Sequence, residues 1–136
     1  MFTPERIEKL SQNEVIVVGT NLAGSHGGGA ARQAYEDFGL KWGFAEGLSG
    51  KTYAFPTLDT AFQQASIEQL SKSRNALFEC AEEHHELTFF LTKIGCGIAG
   101  YSENEIKPLF GKNTPKNIIL PESWDVRYEE NNDKGV

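Results

Sequence analysis

Apolar positions fall in blocks separated by polar, glycine-rich stretches. "EVIVVG" (14–19) is a continuous apolar, β-branched run, the pattern of a strand covered on both faces. "GKTYAFPT" (50–57), "LTFFLTKIG" (87–95) and "KNIILP" (116–121) read as three more strands. Pro56 is expected to end the second of these, because proline cannot donate to a ladder. Between them the period changes. "GAARQAYEDFG" places Ala31, Ala34, Tyr35 and Phe38 on one helix face, with Gly39 as its stop. "SIEQLSKSRNALFECAEEH" (66–84) keeps the helical period through Ile67, Leu70, Leu77, Phe78 and Ala81, with Arg74 as the polar interruption. Ser66 with Gln69 spells a capping box at its start. A second box, Ser102 with Glu105, opens "SENEIKPLF" (102–110), and Pro108 shortens or kinks that helix. Near the N-terminus, "TPERIEKLSQ" predicts a short opening helix. Thr3 would be its cap, Pro4 its first residue and Glu5 would sit near its positive end, with Ile7 and Leu10 facing inward.

The alternation of strands and helices predicts an α/β fold, a three-layer α/β/α sandwich around a mostly parallel, mixed sheet. No repeat or linker divides the 136 residues, so one domain over 1–136 is expected, with 130–136 as a frayed tail. Net charge −6 opposes general binding to duplex nucleic acid, which needs a basic surface. It leaves room for a local anion site built from backbone N–H groups. Cys80 and Cys96 are too few for a disulfide framework and match no zinc spacing, so they read as free thiols in a reducing compartment. Apolar runs are too short to span a membrane, and the N-terminal pattern is not that of a signal peptide. The expected location is cytoplasmic, with no membrane partner, no metal and no cofactor.

Two glycine-rich loops add chemistry to this frame. "GTNLAGSHGGGA" follows the first strand and "GCGIAGYS" the third, and each runs into a helix start. If the strands are parallel, both loops emerge on one sheet edge, where ligands of such folds bind. Two sets of unpaired N–H groups would then converge on one anion. "GCGIAG" fits the G-x-G-x-x-G dinucleotide pattern in letters. It lacks the following βα unit and acidic ribose ligand, and neither loop continues into the G-K-[ST] of a Walker loop.

The combination resembles macro domains: a strand, an asparagine, "GGGAA" and a helix, then a later strand with "GCGIAGY". "NLAGSHGGGAA", "FPTLD", "IGCGIAGY" and "ILPESW" are similar to a compact bacterial or phage subgroup of that family, and the similarity spans roughly residues 13 to 120. The resemblance implies a pocket for ADP-ribose or a related nucleotide derivative. Asn21 would approach the distal ribose. Gly27, Gly28 and Gly29, flanked by Gly19, Thr20 and Ala30, would hold that ribose and the diphosphate. Gly95, Cys96, Gly97, Ile98, Ala99 and Gly100 would embrace the diphosphate, with Tyr101 against the ribose. The implied activities are hydrolysis of an ADP-ribosyl or phosphate ester bond at the distal ribose, or non-catalytic reading of a nucleotide signal or an ADP-ribosylated macromolecule. The chain departs from the family in one respect: it has no aspartate matching the early adenine-recognising one.

Several residues carry two readings. Asn21 either caps a turn or holds the sugar, and His26 is either a proton carrier or an exposed loop histidine. Asp59 activates water or closes an Asx-turn. These three are the candidate catalytic groups. Cys96 sits where a thiol pKa can fall, but a small side chain beside a phosphate is the simpler account. Trp42, Phe44 and Trp124 stack on a base or pack a core. Glu103 and Glu105 read as capping groups, and His84 and His85 as solvated residues at a helix end.

Overall fold

The computed structural model describes residues 1–127, and the tail expected at 130–136 lies outside the described residues. Among the described residues five strands form one mixed sheet: β1 (Glu14–Asn21), β2 (Gly47–Ser49), β3 (Thr52–Leu58), β4 (Thr88–Leu91) and β5 (Ile118–Ile119). Three named α-helices among the described residues accompany it: α1 (Gly29–Asp37), α2 (Ile67–Glu83) and α3 (Glu103–Ile106). The order across the sheet is β2-β3-β1-β4-β5. β1 runs parallel to both β3 and β4, β4 runs parallel to β5, and only β2 is antiparallel. No helix among the described residues is long and apolar enough to cross a membrane.

The β1 run is apolar on both sides because both sides are covered. Val15 and Val17 join a core cluster with Leu70, Leu77 and Ala81 of α2 and Ile106 of α3. Ile16 and Val18 join a second cluster with Ala31 and Ala34 of α1. The small alanines bring α1 close to the sheet. Tyr35, expected on that buried face, instead lies exposed with its ring edge against Trp42.

The expected opening helix does not form. Thr3 bonds the end of the sheet instead: its N–H donates to the Leu120 carbonyl and its hydroxyl to the Ile119 carbonyl. Of the carbonyls a helix would have used, that of Ile7 accepts from the Gln33 side chain, and the Ser11 N–H that would have met it donates to Glu14 Oε1. Lys51 holds the next turn by donating to the Leu10 and Ser11 carbonyls. So short a helix is marginal alone, and these bonds decide the outcome. The three-residue β2 is too short to show a periodicity. It meets β3 through a two-residue turn, Gly50–Lys51, with Gly50 at φ +60°. Pro56 does not end β3. The β2 partner reaches only Thr52–Ala54, so β3 is an edge on that side at Pro56 and no ladder bond is lost there. The third and fourth strands are shorter than their apolar runs.

Of the two capping boxes, only one is complete. Ser102 and Glu105 bond each other's backbone N–H. Ser66 accepts from the Gln69 N–H, but the Gln69 side chain turns to the Ser73 hydroxyl. Pro108 stops α3 after four residues, and a 3-10 turn (Lys107–Leu109) follows.

Candidate functional site

Because β1, β3 and β4 are parallel, the segments after each of them leave the same sheet edge. The chain steps from β1 outward to β3 and then back across to β4, so β1 lies where the strand order reverses. Crevices at such points receive ligands in α/β folds. A cleft of about 450 Å³ opens there. Gly19, Thr20, Asn21, Gly27, Gly28, Gly29 and Ala30 line it from the β1 side, and Gly95, Gly97, Ile98 and Ala99 from the β4 side. Both glycine loops therefore border one space.

The first loop is built rigidly. Asn21 ends β1, and its side-chain amide holds Ser25 twice: Oδ1 accepts from the Ser25 N–H at 3.0 Å, and Nδ2 donates to the Ser25 carbonyl at 2.7 Å. Gly24 takes φ +75°, and a Cβ there would lie 2.5 Å from the Gly43 backbone. At the base of the site the β1–β3 register slips so that Thr20 faces Pro56 but Asn21 faces Leu58. Such bulges re-aim side chains beside active sites.

α1 starts at the cleft without a side-chain cap and without an acidic residue in its first turn. The N–H groups of Gly27, Gly28, Gly29, Ala30 and Ala31 donate to no protein acceptor among the described residues. The same holds for Gly97, Ile98 and Ala99 of the second loop. All of these residues line the cleft. Most of these residues are exposed, so water can serve their amides, and an anion at a helix N-terminus is a stronger acceptor for the same donors. The second helix start contributes nothing comparable. α3 is only four residues long, its box takes up the Ser102 and Glu105 N–H groups, and Glu103 and Glu105 make it negative. The expected pair of helix ends is thus one helix end and one loop.

Lys93 and Thr92, which sequence inspection passed over, line this cleft and also a second one of about 900 Å³. The second cleft is completed by Glu5, Glu122, Ser123 and neighbouring residues. Lys93 Nζ lies 3.3 Å from Glu103 Oε1, both half-exposed. Glu103 also accepts from Trp124 Nε1 at 2.9 Å, and these contacts, the Trp124 bond first, hold its carboxyl below the usual range. A cation following an apolar strand was the available signal for Lys93. Of the other lining residues, Ser25, Ala31, Thr57, Leu58 and Ile94 lie within the quoted motifs without having been given a role at the site, and nothing in the sequence marked Phe62.

The remaining predicted residues lie outside the lining. His26 is 1% exposed rather than on the surface of the loop. Its Nε2 lies 3.0 Å from the Lys41 carbonyl, Trp42 packs edge-on against it, and Nδ1 has no partner among the described residues. The 41–44 segment, which also bonds Gly24, folds over it. Asp59 closes a turn, with Oδ1 accepting from the Ala61 and Gln63 N–H groups, both at 2.9 Å. Tyr101 is buried in the core, donates its hydroxyl to the Ala65 carbonyl and faces Gly95 with its ring. Burial pushes its phenol pKa up. Gly100 is outside the lining, and Cys96 packs against the core with its thiol pKa raised, chiefly by burial and then by Glu103. That is the opposite of what a thiolate nucleophile needs. Trp124 is core, whereas Trp42 is exposed away from the cleft. His84 pairs with Glu86 at the α2 terminus. Cys80 and Cys96 are both free.

No protein-family model matches the chain, and no curated protein or solved structure matches it.

Proposed function

We propose that the chain is a macro-domain-like three-layer α/β/α module that binds ADP-ribose or a closely related nucleotide derivative. One observation carries this reading: free backbone N–H groups of two separate loops line one cleft at the reversal point of the sheet. Hydrogen bonds from such donors to a charged acceptor contribute about 1.5–3 kcal/mol each. A diphosphate presents two adjacent anionic groups, which suits donors arriving from two sides. The α1 N-terminus adds roughly 0.3–1 kcal/mol, and Lys93 adds a cation. The adjoining cleft, which shares Thr92 and Lys93, gives a base its space, with Glu5 and Glu122 as acceptors for its amino group.

Reading without chemistry is the favoured mode. Two of the three candidate catalytic groups, His26 and Asp59, are engaged elsewhere, and only Asn21 borders the cleft. Calorimetry with ADP-ribose tests the binding, and the expected affinity is tighter than millimolar. No heat at millimolar ligand rejects it. Incubation with ADP-ribose-1''-phosphate and with an ADP-ribosylated protein tests the mode. Turnover that Asn21→Ala abolishes would restore the hydrolase reading.

A further inference from the structure

We infer that Phe62 is a specificity-determining residue whose ring stacks on the sugar at the outer end of the ligand, an inference that rests on the binding reading above. Phe62 is the only non-glycine residue with positive φ among the described residues, at +62°. For a bulky side chain this is a true outlier. Such strain persists only where the surroundings over-determine it, and it gathers at ligand clamps.

The surroundings here do so. Asp59 accepts from the residues on both sides of Phe62, and the Phe62 N–H itself donates to the Asp59 carbonyl at 3.1 Å. Gln64 then ties the turn to the second glycine loop, its Nε2 donating to the Ala99 carbonyl at 3.1 Å. Yet the side chain thus held is 54% exposed and lines the cleft. Ile98, 80% exposed, is the other large apolar side chain displayed there, and its Cδ1 lies over Gly28. Exposed apolar groups beside a groove of free donors mark a ligand with one charged part and one part that offers a C–H face.

The sheet order decides which part. The Phe62 turn follows β3, on one side of β1, whereas the second cleft lies beyond β4 on the other side. With the base in the second cleft and the diphosphate at the loops, Phe62 meets the terminal sugar.

The test compares ADP-ribose with ADP, which lacks that sugar, by calorimetry on the whole chain. Phe62→Asn tolerates the left-handed backbone and removes the ring, Phe62→Gly repeats this with φ unrestricted, and Phe62→Tyr keeps the ring. Phe62→Asn and Phe62→Gly should bind ADP-ribose about tenfold more weakly and ADP within about twofold of wild type, with Phe62→Tyr near wild type. Their melting temperatures should equal or exceed that of wild type, because strain is released. Unchanged ADP-ribose affinity in Phe62→Asn, or equal weakening of both ligands, overturns this inference alone. Wild-type protein that binds neither ligand overturns the binding reading and this inference with it.

Discussion

The Tyr101 hydroxyl donates to the Ala65 carbonyl in a buried site, so Tyr101→Phe leaves that acceptor unpaired. The expected cost is about 1–3 kcal/mol in urea unfolding, with ADP-ribose affinity unchanged because the ring lies outside the cleft. A loss of affinity without a loss of stability would return Tyr101 to the site. Glu103 gives a prediction in pH. Its carboxyl is held below the ordinary range, first by Trp124 and then by Lys93. A depressed folded pKa adds stability above the unfolded value and loses it as pH falls through the folded value. The melting temperature should therefore decline on acidification below about pH 4.3, the ordinary glutamate value. Glu103→Gln should flatten part of that decline, and identical acid slopes would contradict the assignment. At this scale the sequence was least informative. The roles of Asn21 and Asp59 were legible as alternatives, because both residue types close turns. The burial of His26 depends on Lys41 and Trp42 folding back over it, which no local pattern records.

Among the elements, the two glycine loops show two different uses of glycine. Gly24 is needed by the fold: its φ is +75° and the Gly43 backbone occupies the place of a Cβ. Gly24→Ala should cost about 3 kcal/mol or more. In the second loop a Cβ at Gly97 would meet nothing within 4 Å. Gly97→Val should leave stability within about 0.5 kcal/mol while weakening ADP-ribose by about tenfold or more, because its methyl groups enter the cleft. Thermal melts and calorimetry on both variants check the pair, and a Gly97→Val protein that binds normally would remove the second loop from the site. Long apolar or strongly periodic elements, β1 and α2 above all, were readable from the chain. β2 was not, since three residues carry no period. The opening helix failed because the Gln33 side chain takes the Ile7 carbonyl and Glu14 takes the Ser11 N–H, the pair a helix turn would have joined.

For the whole molecule, the legible part was topological. Continuous apolar runs required strands covered on both faces, and alternation with helices required parallel neighbours, which sent both glycine loops to one edge. What local pattern left out was the asymmetry of the cleft: an open α1 start on one side, a capped and acidic α3 start on the other, and Lys93 between two clefts. Under the proposed function the backbone amides of both loops donate to one bound diphosphate. Titration of isotope-labelled protein with ADP-ribose, followed by amide NMR, tests it most directly. The amide signals of Gly27–Ala31 and Gly97–Ala99 should move together along one saturable curve. Signals of only one loop moving, or saturable shifts confined to another face, would contradict it.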